Sequence, residues 1–113
     1  MVRPLSQKKC VPCTSSTRPL PASRASKLLE QVPGWSLTRR GRLKRKVRFE
    51  DFLTLMEFVN DMAQVAEEQQ HHPDFSVHHA VLDIEIWTHV AGGLTENDFI
   101  LAARLNEMLG DRS

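Results

Sequence analysis

The stretch EEQQHHPDFSVHHAVLDIEIWTHVAGGLTEND, residues 67–98, decides how this chain is organised. It joins the end of one helical pattern to two alternating strands and then to the start of another helix. Pro73 and the pair Gly92 and Gly93 interrupt the pattern on either side of the strands. Histidine is the side chain best suited to move protons near neutral pH. The histidines and carboxylates of this stretch therefore predict an acid–base site on a small α+β scaffold.

Apolar residues outside this stretch extend the same scaffold. Helical spacing and strand-like alternation each mark several segments. The expected helices are 24–32, 50–69 and 96–109, and the expected strands are 35–38, 42–49, 75–78 and 81–87. The order is α-β-β-α-β-β-α, and the links between paired strands are short enough for hairpins. The sequence therefore predicts a four-stranded antiparallel sheet with three helices packed on one face.

Both helix boundaries around the decisive stretch have physical causes. Pro73 disfavours helical geometry in the residue before it, so the long helix must end by His72. This places Glu67 one turn before His71. The spacing from Thr95 to Asp98 is typical of a capping box at the start of the last helix. That helix is apolar over more than one stripe, which predicts a subunit interface and hence a homodimer or homotetramer.

Residues 1–22 are predicted to form a flexible basic tail, and residues 23–113 the folded domain. Four prolines and a run of Ser and Thr break any helix in the first segment. The segment also holds the only cysteines, Cys10 and Cys13, in C-x-x-C spacing. One such pair is half of a zinc site, and no nearby histidine completes it. A metal or redox role for the pair is therefore the less favoured interpretation.

Charge is divided unevenly along the chain. Residues 1–48 carry a formal charge of +12 and residues 49–113 carry −11. Such asymmetry indicates either a polyanion or acidic-protein partner or two halves that complement each other in the fold, and we favour the second. No aromatic residue interleaves the cationic face of the strand at 42–49, which carries Arg42, Lys44, Lys46 and Arg48, and this disfavours nucleic-acid binding.

Targeting signals are weak in this sequence. No apolar run approaches the ~20 residues of a membrane helix, and the N-terminus lacks the apolar stretch of a secretory signal. A cytoplasmic protein is the simpler interpretation. The basic, Ser-rich and Pro-rich start leaves an organelle transit segment open.

Three histidines are the candidates for proton transfer. His71 and His72 follow the long helix, and His89 ends the last strand, so packing of the sheet on that helix would bring them together. Imidazoles on two sides of a pocket can remove one proton from a substrate and deliver another to a leaving hydroxyl, as a dehydration requires. Glu67 or Asp98 could orient one of them.

Simpler roles exist for each of these residues. Asp98 could be only a capping acid, and Glu67 only a solvated helix residue. Three histidines could also bind zinc, although two adjacent ones suit a single tetrahedral ion poorly.

Four motifs resemble the signature of pterin-4a-carbinolamine dehydratases across residues 28–109. They are Pro33-Gly34-Trp35, Glu67-x-x-x-His71-His72-Pro73, Thr88-His89 and Gly93-Leu94-Thr95-x-x-Asp98. The resemblance implies an oligomeric α+β protein that dehydrates 4a-hydroxytetrahydropterin to quinonoid dihydropterin during tetrahydrobiopterin recycling. It implies no metal or organic cofactor.

The resemblance also implies roles for individual residues. His71, His72 and His89 would be catalytic, and the supporting or substrate-binding residues would be Glu67, Asp98, Trp35 and Pro73. Phe75 and His79 depart from the family, which often has Trp and Tyr there. These departures concern the stacking and shape of the pterin pocket.

A subgroup of the same family offers another function. The C-x-x-C segment and residues 86–103 are similar to dehydratase-like proteins that assist RuBisCO assembly in chloroplasts and in bacteria with α-carboxysomes. This similarity implies RuBisCO as a partner, association with carboxysomes and a silent site. Animal members also act as dimerisation cofactors of a transcription factor, and nothing in this sequence points to that role.

Overall fold

The computed structural model describes residues 4–110 and confirms the predicted α+β class. Its helices are α1 (Ala22–Leu29), α2 (Phe52–Gln69) and α3 (Glu96–Leu109), and its strands are β1 (Ser36–Leu37), β2 (Leu43–Arg48), β3 (Asp74–His78) and β4 (Val81–Ile86). The sheet is antiparallel, in the order β1-β2-β4-β3. The ends of the elements differ from expectation by a few residues. The first three residues of the expected tail and the last three of the expected domain lie outside the described range.

Alternation along the two central strands decides which face of the sheet is covered. In β2 the buried residues alternate with exposed ones, and the same period-two pattern runs through β4. The residues facing the helices are Leu43, Arg45, Val47, Leu82, Ile84 and Ile86. Each fully buried Leu, Ile or Val here contributes about 1.5–3 kcal/mol. The other face of these strands is polar and open.

Opposite charges meet on that open face. The register places Lys44 opposite Glu85 and Lys46 opposite Asp83. Arg42 Nη1 also lies 2.8 Å from Glu85 Oε1. Within residues 4–110, basic groups from the first half of the chain therefore lie beside acids from the second half. This arrangement supports the interpretation that the two halves complement each other.

Caps at both ends of α2 follow from its sequence. Asp51 accepts a hydrogen bond from the Thr54 N–H at 2.8 Å, and this backbone bond lowers the pKa of the Asp51 carboxyl group. At the other end Gln70 adopts the left-handed region with φ 54°, and His71 N–H donates to Ala66 O at 3.1 Å. This reversal turns His71 into the protein, where it is 9% exposed.

The N-terminal segment was expected to be a free tail, but parts of it lie against the domain. Leu5 is buried in a short 3-10 turn, and Arg104 Nε donates to Lys8 O at 3.0 Å. Leu20 N–H donates to Leu94 O at 2.7 Å. Prolines prevent a helix here but not an extended path, because groups of the domain supply the hydrogen bonds that the segment's backbone needs.

This packing explains why α3 is apolar nearly all round. Every residue from Asn97 to Ala103 is buried, and the turn at Leu5–Gln7 covers part of the helix. Much of the apolar excess that suggested a subunit interface is therefore buried within the chain itself. The homo-oligomer itself stays a prediction, for which the exposed Phe52 and Leu53 at the start of α2 are better candidates. None of the helices in residues 4–110 has the length and apolarity to cross a membrane.

Candidate functional site

A cavity of about 450 Å³ opens where the end of α2 meets the end of β4, and the three predicted histidines line it together. Its volume lies in the range of small-molecule sites. The lining residues include His71, His72, Pro73, Asp74, Trp87, Thr88, His89, Asn97, Val11 and Cys13. A larger cavity of about 640 Å³ lies beside Arg45 and Asn106, but no histidine lines it.

His71 is held by Asp98 in the most buried part of the site. Its Nε2 lies 2.6 Å from Asp98 Oδ1, and the Asp98 side chain is fully buried. The other carboxylate oxygen accepts from Thr88 Oγ1 and from Thr95 N–H, each at 2.8 Å. Because a carboxylate accepts hydrogen bonds, this arrangement is satisfied with His71 Nε2 as the donor, which leaves Nδ1 as the nitrogen that can accept a proton.

Asp98 therefore has two roles that the sequence presented as alternatives. The capping box is present, since the Thr95 side chain accepts from the Asp98 N–H and the carboxylate accepts from Thr95 N–H. The same carboxylate also orients a histidine. The capping hydrogen bonds fix the Asp98 side chain at the start of α3. The other carboxylate oxygen, Oδ1, then fixes the position of His71.

His72 is oriented by a different acid and is much more exposed. Its Nε2 lies 2.5 Å from Glu67 Oε2, and the two side chains are 56% and 72% exposed. Glu67 therefore contacts His72, not the His71 imidazole one turn away, because the reversal at Gln70 swings His71 inward. An exposed pair of this kind contributes about 0–1 kcal/mol, so its effect is to orient His72 more than to stabilise the fold. Glu67 itself does not line the histidine cavity.

His89 is presented by an aromatic residue that sequence reasoning missed. Its ring stacks on Trp87 with centroids 4.0 Å apart, and the Arg42 guanidinium lies 3.9 Å from the same indole centroid. Trp87 thus packs against both groups, and the His89 side chain, which is 63% exposed, remains accessible to a ligand.

Asp74 is the second residue that was missed. Its Oδ2 accepts from the Trp87 indole N–H at 3.2 Å and lies 4.0 Å from His89 Nε2. One signal was present in the sequence, since Asp74 directly follows the His-His-Pro motif. His89 was expected to end the last strand, but β4 ends at Ile86 and His89 begins a 3-10 turn, so strand alternation does not account for its stacking on Trp87. The pairing of β3 with β4 brings Asp74 close to Trp87.

Trp35 is not brought to the histidine cavity. It is buried in the core, and its indole N–H donates to Asn106 Oδ1 at 2.8 Å. Arg45 donates to the same oxygen, and Asn106 Nδ2 donates to Pro33 O at 2.9 Å. The Pro33-Gly34-Trp35 motif thus ties the start of the sheet to α3. Its resemblance-based assignment to the pocket is corrected to a structural role.

The cysteine pair lies close to the site. Burial raises the pKa of the Cys10 thiol to about 12, and the nearby Asp98 carboxylate adds to the effect. Among residues 4–110, no three histidine, cysteine or acidic side chains are grouped so as to hold a metal ion.

Comparison with known proteins matches this chain to one family. The family model described as "Pterin 4 alpha carbinolamine dehydratase" matches residues 18–108. A protein of Rickettsia canadensis (strain McKiel), named "Putative pterin-4-alpha-carbinolamine dehydratase", is 41% identical over 93% of this chain and 97% of its own length. A protein of the same name from Stenotrophomonas maltophilia (strain K279a) is 43% identical over 93% of this chain and 91% of its own.

A solved structure has the same fold. The crystal structure of a transcriptional coactivator/pterin dehydratase from Brucella melitensis superposes with a TM-score of 0.79 at 30% identity. The match covers 82% of this chain and all of that one.

Proposed function

The chain belongs to the pterin 4 alpha carbinolamine dehydratase family, and on that premise we propose that it dehydrates 4a-hydroxytetrahydropterin to quinonoid dihydropterin. The observation that carries this proposal is the convergence of His71, His72 and His89 on one cavity. Each imidazole has its own partner: Asp98 contacts His71, Glu67 contacts His72, and the Trp87 ring stacks on His89. Three independently held imidazoles supply what a dehydration needs, which is a base and an acid at separate positions.

The bond changes balance as two proton transfers. A base removes the proton from a ring nitrogen of the substrate, and that N–H electron pair becomes part of the new C=N bond. The C4a–O bond breaks as its electron pair passes to oxygen, and an acid protonates the leaving hydroxyl to give water. No electrons pass to or from another molecule, so the proposal includes no cofactor.

The geometry favours particular histidines for the two roles. Because Asp98 holds His71 through Nε2, the Nδ1 of His71 is suited to accept the substrate proton. His89 lines the same cavity with the Asp74 carboxylate 4.0 Å away, so a protonated imidazole there would have a carboxylate to face. We assign His89 as the acid for the leaving hydroxyl and His72 as the second proton carrier at the mouth.

A dehydratase assay tests the proposal directly. Purified protein should accelerate the decay of freshly generated 4a-hydroxytetrahydropterin, and replacing His71, His72 or His89 by Ala should lower kcat by roughly 10²–10⁴-fold. His78→Ala is the matched control, because this exposed histidine lies on β3 outside the cavity. A folded His89→Ala variant with full turnover would remove His89 from the mechanism.

A role in RuBisCO assembly stays a prediction, as do the homo-oligomer and the cytoplasmic location. The basic residues of β2 suggested an acidic partner, but on the open face of the sheet they lie beside acidic residues of β4. Capture of RuBisCO by the full chain, without dehydratase activity, would favour that function. Truncating the first 48 residues is unsuitable as a test, because it would remove α1, β1 and β2.

A further inference from the structure

The segment Lys8–Cys13, here called the strap, forms one wall of the histidine cavity. Val11 and Cys13 line the cavity together with all three candidate histidines. The family model begins at residue 18, so the strap precedes the part of the chain that this model matches. The relatives from Rickettsia canadensis and Stenotrophomonas maltophilia match over 93% of this chain, so their matches extend into the strap although the family model does not.

Two buried amide side chains hold the strap in place. Asn97 Oδ1 accepts from Val11 N–H at 2.9 Å, and Asn97 Nδ2 donates to Val11 O at 2.6 Å. Gln69 Oε1 accepts from Cys10 N–H at 2.8 Å. Both amides are under a tenth exposed. Because buried polar groups are costly to leave unpaired, each of these amides specifies the position of the strap.

The strap and the proton-carrying histidine share the same supports. Asn97, which clasps Val11, directly precedes Asp98, which holds His71. Gln69 ends α2 two residues before His71. The first turn of α3 and the end of α2 therefore set both the strap and the imidazole, and a ligand in the cavity meets both at a fixed separation.

We propose that the strap is a specificity-determining wall, in which Val11 and Cys13 contact the substituent that a pterin substrate carries beyond its reacting rings. The inference rests on the proposed dehydratase function. In the proposed reaction the protons move at the imidazoles, and the strap adds the branched alkyl group of Val11 and the sulfur of Cys13 to the lining of the same cavity. Contacts with a non-reacting group are equal in the ground and transition states, so they act on KM and not on kcat.

Protection of Cys13 from alkylation tests the contact without using catalysis. The full chain is treated with iodoacetamide with and without 7,8-dihydrobiopterin, and peptide mass mapping follows each cysteine separately. The expected result is that alkylation of Cys13 is lost in proportion to the occupancy of the cavity, which a binding titration measures in parallel. Cys10 serves as the internal check on folding: its thiol donates to Asn97 O at 3.5 Å and its pKa is raised to about 12, so it should stay unmodified with and without the ligand.

Kinetics of a strap variant provide the second test. Val11 is exposed, so Val11→Ala should fold normally. The substitution should raise KM for a pterin bearing a side chain by about tenfold and leave kcat unchanged. A tenfold change is the lower end of the loss in affinity that follows when methyl contacts are removed. For a pterin without that side chain, KM should not change. Lys9→Ala is the matched control, because Lys9 is an exposed residue of the strap that does not line the cavity.

The possible outcomes separate this inference from the proposed function. Turnover and dihydrobiopterin binding with unprotected Cys13, or a Val11→Ala variant with unchanged KM for both pterins, would overturn the strap inference alone. Absence of both turnover and dihydrobiopterin binding would overturn the proposed function and the strap inference with it.

Discussion

Replacing Asp98 by asparagine changes one buried oxygen to an NH₂ group and nothing else in shape. The atom at the Oδ2 position must remain an oxygen. It accepts a hydrogen bond from the Thr95 backbone N–H, and a backbone N–H can only donate. The new NH₂ group therefore faces His71 Nε2, which lies 2.6 Å from Oδ1 in the wild type. Two donors cannot share that distance, so His71 must change to the tautomer with its proton on Nδ1.

The structure gives the size of the effect on stability. A buried charge-assisted hydrogen bond, worth about 1.5–3 kcal/mol, is exchanged for a neutral one worth about 0.5–1.5 kcal/mol. The net loss is about 1–2 kcal/mol, which for a domain of this size lowers Tm by about 4–8 °C. Asp98→Ala is the harsher comparison, because it removes the acceptor from His71 Nε2 and from the Thr95 N–H in a buried site and costs about 3–5 kcal/mol.

The effect on catalysis should be much larger than the effect on folding. In the Asn variant the nitrogen that should accept the substrate proton, Nδ1 of His71, already carries one. A wrong tautomer in the comparable histidine–aspartate pair of serine proteases lowers kcat by about 10⁴-fold, so we expect a loss of roughly 10²–10⁴-fold here.

Thermal unfolding and the dehydratase assay on the same preparation provide the measurements. Thr95→Ser is the control, since it retains the hydroxyl of the capping box without touching His71. An Asp98→Asn variant with kcat within about twofold of wild type, far inside the expected loss, would refute the tautomer argument.

Three further predictions concern the groups around the site and the helix caps. Asp51→Ala should lower Tm at neutral pH. Because the pKa of Asp51 is lowered in the folded state, its stabilisation is present above the unfolded pKa and is lost as the pH falls through the folded pKa, so the Tm gap to wild type should close in acid. Cys10, whose pKa is raised to about 12, should react with iodoacetamide far more slowly than after unfolding in denaturant, because the thiolate is the nucleophile; equal rates would contradict its burial. Asp74→Ala should loosen the stack of His89 on Trp87, which NMR would show as a downfield shift of the His89 ring protons, and kcat should fall by roughly tenfold; unchanged resonances would show that the stack stands without Asp74.

Local physics in the sequence was enough for the order of the elements and, within a few residues, for their ends. Period-two alternation identified β2 and β4, and Pro73 ended the long helix where the structure ends it within a few residues. The capping box from Thr95 to Asp98 is present as predicted. These features depend on neighbours within a few residues, so they can be predicted directly from the sequence.

Side-chain partners at the site depend instead on chain reversals. Glu67 lies four residues before His71, yet it contacts His72, because the left-handed Gln70 turns the next residue inward. The partner of His71 is Asp98, 27 residues away. Sequence proximity predicted that these residues belong to one site, but it could not assign the pairs.

The packing of the N-terminal segment is a second feature that the sequence pattern could not predict. Its anchors, among them Leu5, Cys10 and Val11, follow no helical or strand period, so no sequence pattern distinguishes the segment from a solvated tail. The sequence therefore did not show that this segment covers part of α3, and the apolar excess of that helix suggested a subunit interface. The sequence by itself determined the elements, the fold class and the set of reactive side chains, because these depend on local spacing. Tertiary structure alone decided which acid holds which histidine and what covers α3, because both depend on contacts between residues far apart in the chain.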